Sequence, residues 1–162
     1  MLSRCYDNRI HEKHPTYKIC TVCDEWLDFG TFKAWMKSQD WKGKELDKDI
    51  LVPGNKIYGP DACFFVTTEV NNLLKDRGAS RGMHPLGVSF NKQAGRFVSN
   101  CRSNGKSVFL GYFDDENMAS KAYKEFKYKV INEVAERQDP VIREALKVHA
   151  NLLMFKPTKG GK

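Results

Sequence analysis

Leu86-Gly87-Val88-Ser89-Phe90, then Gly95-Arg96-Phe97-Val98-Ser99-Asn100-Cys101-Arg102, then Phe109-Leu110-Gly111-Tyr112-Phe113 are three short segments rich in β-branched and aromatic residues. Turn residues separate them, at Gln93-Ala94-Gly95 and Asn104-Gly105. The pattern predicts strands near 86–91, 96–102 and 107–113. Downstream, Ala119, Ala122, Tyr123, Phe126, Val130 and Val134 recur three or four apart. That period predicts a helix over 115–135 whose apolar stripe can cover a sheet. Pro140 ends it, and 141–153 reads as a final helix able to pack back or to meet a partner. No acidic residue lies between Asp76 and Asp114, whereas Arg77, Arg81, Lys92, Arg96, Arg102 and Lys106 do. A basic sheet face backed by one helix suits a polyanion.

The charge of the whole chain is uneven in the same sense. Of 162 residues with net charge +7, the first 80 hold 12 Lys+Arg and 12 Asp+Glu, while the remainder hold 15 and 8. A neutral N-terminal unit joined to a basic one is the expectation. The sign argues against a mimic of DNA. No apolar run approaches the ~18 residues of a membrane span, so no membrane association is expected. Five cysteines without an export signal point to free thiols in a reducing cytoplasm. Lys156 to Lys162 reads as a basic tail that can touch phosphates without specificity.

In the first half, residues 1–22 read as polar and irregular. Trp26, Phe29, Phe32, Trp35 and Met36 have the spacing of one helical face and read as an aromatic core stripe. A hairpin is expected over 45–66, with Leu46 to Val52 extended and a turn at Pro53-Gly54-Asn55-Lys56. Thr67 or Thr68 then caps a helix through Val70, Leu73 and Leu74. Lys75 to Pro85 reads as a linker.

Leu46-Asp47-Lys48-Asp49, Gly54-Asn55-Lys56-Ile57-Tyr58, Pro60, Cys63 and Phe65-Val66-Thr67 with Asn71-Asn72 resemble the HNH endonucleases, phage-encoded members in particular. Val22-Cys23-Asp24-Glu25-Trp26 with Phe29 and Phe32 resembles the lead-in of that group. The resemblance covers about residues 4–74 and implies a ββα-metal unit gripping one divalent ion. It assigns metal binding to Asp47 and Asn71, with Asn72 as the alternative register, and assigns to Asn55 the asparagine that orients the hairpin. Phosphodiester cleavage needs an activated water and a cation on the phosphate. A carboxylate and an amide oxygen are hard ligands that suit magnesium or manganese.

The chain departs from this family at the general base. A histidine directly follows the first carboxylate in the family, and Lys48 stands there in this chain. Lysine is ordinarily protonated at neutral pH and is a poor base. Its remaining catalytic role is to hold a phosphate electrostatically. Asp49, His11 and His14 are the other candidate proton acceptors, Asp49 on the opposite strand face from Lys48. Cys20 and Cys23 have zinc-knuckle spacing, with Cys5, Cys63 and the two histidines as further ligands. There is no second close pair, so buried hydrophobic thiols are the stronger reading and zinc is not expected.

Gly87-Val88, Gly95-Arg96-Phe97-Val98, Leu110-Gly111-Tyr112-Phe113 and Ala119, Ala122-Tyr123 resemble the Apetala/ethylene-response-factor DNA-binding domain, over about residues 81–132. That domain also occurs attached to phage HNH endonucleases. The resemblance implies a sheet laid in the major groove of double-stranded DNA. Its base-reading positions fall on Ser89, Asn91, Asn100, Arg102, Ser107 and Phe109, of which only Arg102 keeps the family's residue. Asn91 and Asn100 suit adenine edges, and Ser89 or Ser107 bases or phosphates. Lys92, Arg96 and Lys106 read as phosphate contacts.

The expectation is an α+β chain: an HNH-like unit over 1–76, an ethylene-response-factor-like domain over 77–137, and a helix with basic tail over 138–162. It is expected to act as a phage-type DNA-binding protein in the host cytoplasm, its cleavage deprived of the usual base. The competing expectation is a small phage interaction protein that uses the same fold against a host protein or an RNA-containing complex.

Overall fold

A computed structural model of the chain describes residues 1–75 and 83–155. The predicted linker, including Arg77 and Arg81, lies largely outside the described residues, as does the basic tail. The fold is α+β and divides into two compact units, Met1–Leu73 and Leu74–Lys162.

The N-terminal unit begins with helices α1 (Leu2–Tyr6) and α2 (Asn8–Lys13) and a 3-10 turn at Pro15–Tyr17. The irregular segment expected over 1–22 is therefore mostly helical. Asp7 explains part of this, because its carboxylate accepts the Arg9 amide at 2.9 Å and caps α2. Strand β1 (Thr21–Val22) runs parallel to a two-residue strand, β3 (Ile57–Tyr58). A 3-10 turn at Asp24–Leu27 leads into α3 (Phe29–Lys37), capped by the Asp28 carboxylate on the Thr31 amide at 2.7 Å.

Of the expected aromatic stripe, Trp26 lies in the core and Phe32 and Trp35 are half-buried against it. Trp26 is fully buried, 4.4 Å from Trp35 and 5.1 Å from Phe32 between ring centroids, and Trp35 stacks on Phe65 at 5.7 Å. Phe29, at the first position of α3, is exposed. Around Trp26 gather Cys5, Cys20, Val22, Tyr58 and Cys63.

The expected hairpin is shorter and split. Strand β2 (Glu45–Asp47) pairs antiparallel with β4 (Phe64–Val66), in the register Glu45 with Val66, Leu46 with Phe65 and Asp47 with Phe64. The chain leaves β2 at Asp47 rather than continuing to Val52, because the Asp47 carboxylate turns back onto the Asp49 and Ile50 amides at 2.8 and 2.9 Å. Helix α4 (Thr68–Leu74) follows, with the Thr67 hydroxyl accepting the Val70 amide at 3.3 Å.

The C-terminal unit is a three-stranded antiparallel sheet in the order β5 (Val88–Asn91), β6 (Arg96–Ser103), β7 (Lys106–Phe113). Asn104 (φ 50) and Gly105 (φ 74) make the two-residue turn between β6 and β7. Helix α5 (Glu116–Ala135), capped by Asp115 on the Met118 amide at 3.0 Å, packs on the sheet. Helix α6 (Pro140–Phe155) packs on α5, with Ile142, Ala145, Leu146 and Ala150 buried. The expected alternatives for this helix thus resolve to packing back.

The closest approach in this unit is at Gly87, which has φ +77. A Cβ there would lie 2.0 Å from Cδ2 of Tyr123 and 2.7 Å from the Asn100 carbonyl oxygen. Gly95, at φ +64, has nothing within 4 Å. Gly87→Ala is therefore expected to destabilise by about 3 kcal/mol or more, combining overpacking with left-handed strain. Gly95→Ala carries the strain alone and is expected to cost about 1 kcal/mol; equal losses in urea denaturation would refute the close approach. Ser99, wholly buried, has a hydroxyl without a hydrogen-bond partner. Ser99→Ala is expected to leave the melting temperature unchanged or to raise it, since it removes an unsatisfied buried group.

Candidate nucleic-acid interface and candidate metal centre

Alternation along β6 assigns its two faces. Ser99 and Cys101 are buried beneath α5, so Val98, Asn100 and Arg102 point the other way. The register then carries the outer face to the neighbours. Ser89 pairs with Val98, Asn100 with Phe109, Arg102 with Ser107, and Val98 with Tyr112. Four of the expected base-reading residues, Ser89, Asn100, Arg102 and Ser107, thus share one face with Phe109.

Tyr112 joins them, which sequence reasoning missed. Ser99 pairs with Gly111 but Asn100 pairs with Phe109, so Leu110 is an extra residue in β7. This β-bulge puts Phe109 and Tyr112, three apart, on the same side. The rings meet edge to face with centroids 5.2 Å apart, and remain 55% and 45% exposed. The signal was Leu110-Gly111, a glycine inside a strand pattern, which marks such bulges.

Two expected contacts are otherwise engaged. The Asn91 side-chain oxygen accepts the Gln93 and Ala94 amides at 2.9 and 3.0 Å, so it shapes the β5–β6 turn rather than an adenine contact. Arg96 makes a two-pronged ion pair with Asp114, at 2.7 and 3.1 Å, in place of the free cation expected for a phosphate. Lys92 and Lys106 are exposed at the two turns that bound the sheet. Arg102 is exposed, with Nε donating to the Gly105 carbonyl at 3.3 Å.

In the N-terminal unit, Asn55 closes the loop that follows β2. Its Nδ2 donates to the Lys48 and Ile57 carbonyls at 2.7 Å each, and its Oδ1 accepts the Ile57 amide at 3.1 Å. Lys48 is only 6% exposed. Its ammonium donates to the Asn55 carbonyl at 2.8 Å and pairs with Asp49 at 3.0 Å. The side chain is thus turned into the loop, not offered to a phosphate. His11 is held by its Nε2 against the Arg4 carbonyl at 3.0 Å.

Asp47 and Asn71 lie on neighbouring elements, β2 and α4. Glu45, at the start of β2 and not singled out by the sequence reading, reaches across to α4. Its carboxylate accepts from the Asn71 amide nitrogen, and from the Thr68 hydroxyl at 2.9 Å. Two residues from Asp47 on one strand, Glu45 shares its face; that spacing was the available signal. With its nitrogen on Glu45, Asn71 turns its amide oxygen away, the atom a hard cation takes. Glu45, Asn71, Arg4, Leu46, Tyr58 and Met1 line a cleft of about 280 Å³. Burial raises the Asp47 carboxyl above its ordinary 3.8; the Asp49 amide opposes this and the Asp49 carboxylate adds to it.

The four N-terminal cysteines gather in the Trp26 core, Cys23 at its margin. All five cysteines are free, and burial pushes Cys63 up to about 11. Among the described residues no three His, Cys, Asp or Glu side chains converge as a metal-ligand set.

No protein-family model matches this chain, and neither a curated protein nor a solved structure was found to be similar to it.

Asn55→Ala removes three hydrogen bonds that close the loop after β2. It is expected to lower stability by about 2–3 kcal/mol in urea titration, with a loss under 1 kcal/mol refuting the clasp. Asp47 carries the opposite sign from most carboxylates. A carboxyl whose folded pKa is raised stabilises least when ionised, so metal-free stability falls as pH climbs through that raised value and is unpenalised below 3.8. Asp47→Asn is expected to melt no lower than the wild type at pH 7, and the difference to vanish in acid.

Proposed function

We propose that the protein binds double-stranded DNA with the outer face of its C-terminal sheet, and that its HNH-like unit adds contacts without cutting. The observation that carries this reading is the register itself. One continuous face bears Ser89, Asn100, Arg102, Ser107, Phe109 and Tyr112, with Lys92 and Lys106 exposed at the turns beyond the strands. A two- or three-stranded ribbon of this kind is admitted by the major groove, whose base edges are distinguishable there. Cations at the turns would meet the phosphates that flank it.

Asp47 and Asn71 are the residues that would hold a magnesium or manganese ion, which when bound would polarise a phosphate. The reading stops short of cleavage because Lys48 is directed into Asn55 and Asp49 rather than toward a water. In the same reading the chain is phage-type and works in the host cytoplasm. No helix among the described residues is long and apolar enough to cross a membrane.

The test combines a gel shift with a plasmid assay. Duplex binding should weaken with salt, with a log–log slope of about −2 for the two phosphate-facing cations Lys92 and Lys106. Lys92→Ala and Lys106→Ala should each reduce that slope by about 1 and weaken all duplexes alike. Arg102→Ala should relax preference at one base pair by about 1–3 kcal/mol. Supercoiled plasmid with magnesium or manganese should shift but stay intact. Metal-dependent nicking, lost in both Asp47→Ala and Asn71→Ala, would overturn the non-cutting reading. Salt-insensitive or absent duplex binding would overturn the DNA reading and favour a protein partner.

A further inference from the structure

Asn100 and Phe109 are register partners on adjacent strands, side by side on the outer face. Directly opposed residues on one face of an antiparallel pair have Cβ atoms about 5 Å apart. An asparagine amide matches the N6 and N7 edge of adenine, and a phenylalanine ring matches the C5-methyl group of thymine. One A·T pair presents both features side by side in the major groove. Asn91, the other amide near this face, is held by the β5–β6 turn, which makes Asn100 the adenine-matching amide here.

The aromatic ring is the less expected half of this pair. A half-exposed phenylalanine beside a half-exposed tyrosine is apolar surface that folding alone does not require. Neither ring is covered by α5 or α6, which lie on the opposite side of the sheet. Tyr112 abuts Phe109 edge-on and limits where that ring can swing. The surroundings are basic, with Arg102, Lys92 and Lys106, and no acidic residue enters the sequence between Asp76 and Asp114.

We infer that Asn100 and Phe109 together form a reader for a single A·T pair, Asn100 on adenine and Phe109 on the thymine methyl. This rests on the proposed DNA-binding reading and deepens it. The chemistry also separates DNA from RNA. Uracil lacks the methyl group, and the major groove of an RNA helix is too deep and narrow for side chains to read.

The experiment selects duplexes from a random pool with the full-length chain, then measures the enriched duplex with each thymine replaced in turn by deoxyuridine. At one A·T pair the replacement should weaken wild-type binding about fourfold, the worth of one buried methyl. In Phe109→Ala that loss should disappear while binding persists; the exposed site and an unchanged circular dichroism spectrum would exclude misfolding. Asn100→Ala should lose the preference for A·T over G·C at the same pair. A selected duplex indifferent to deoxyuridine at every thymine, or a methyl effect that survives in Phe109→Ala, would overturn this inference and leave DNA binding standing. A pool from which nothing is enriched, at low salt as at high, would overturn the DNA reading and this inference with it.

Discussion

A three-stranded sheet has two faces, and the C-terminal unit lays α5 against one of them. Everything else in this unit follows from that asymmetry. Ala119 and Gly87 are small where helix and sheet come together, and Tyr123 takes the space that a side chain at Gly87 would fill. Helix α6 does not cross to the open side; its buried residues complete the far flank of α5. The outer face is therefore solvated, and serine, asparagine, arginine and lysine are affordable there. Phe109 and Tyr112 are not explained by solvation, and that is why they bear on function. Scattered apolar residues on a surface are ordinary, but two rings in contact, put on one side by a bulge, form a patch with a shape.

The N-terminal unit reaches its fold by another route. Its strands are two or three residues long, too short for ladder hydrogen bonds to define the loops between them. Polar side chains close those loops by bonding the backbone: Asp7 on Arg9, Asp28 on Thr31, Asp47 on Asp49 and Ile50, Asn55 on Lys48 and Ile57, and Thr67 on Val70. These clasps surround one small core built on Trp26. The cysteines serve that core as compact apolar groups, and burial raises the thiols of Cys5, Cys23 and Cys63, the last to about 11.

This contrast explains what could be read from the sequence. The three strands and α5 were legible almost to the residue, because eight-residue strands, an Asn-Gly turn and a twenty-residue stripe express regular periods. Helices α1 and α2 were not, since five or six residues hold too little periodicity and the capping signal at Asp7 is a single residue. The early end of β2 was hidden for the same reason, as a side-chain turn interrupted a pattern that read as extended. On the outer face, the ethylene-response-factor resemblance put forward Ser89, Asn100, Arg102 and Ser107, and regular alternation keeps them on one side; a bulge resets the phase, and Tyr112 was lost by that one residue. Arg96 and Asn91 were assigned by charge and type, whereas their partners, Asp114 and the turn amides, are set by tertiary and turn geometry. Glu45 escaped because its role comes from α4 folding back over β2, which no local pattern reports.

The position after Asp47 decides how far the HNH resemblance carries into chemistry. A neutral histidine there offers one ring nitrogen as donor and one as acceptor, so it can hold a loop with one and take a proton with the other. An ammonium group has donors only. Lys48 accordingly points its hydrogens at the Asn55 carbonyl and at Asp49, and serves as counter-charge inside a turn that also holds Asp47. Asn55 returns the interaction by donating to the Lys48 carbonyl, so the two side chains lock the loop reciprocally. The lysine at this position is therefore part of the scaffold of the loop. Lys48→Ala would remove the cation that pairs with Asp49 and the donor that meets the Asn55 carbonyl. The loop after Asp47 is thus closed from both sides, Lys48 supplying the charge and Asn55 the amide, and the ammonium has no hydrogen-bond acceptor to offer.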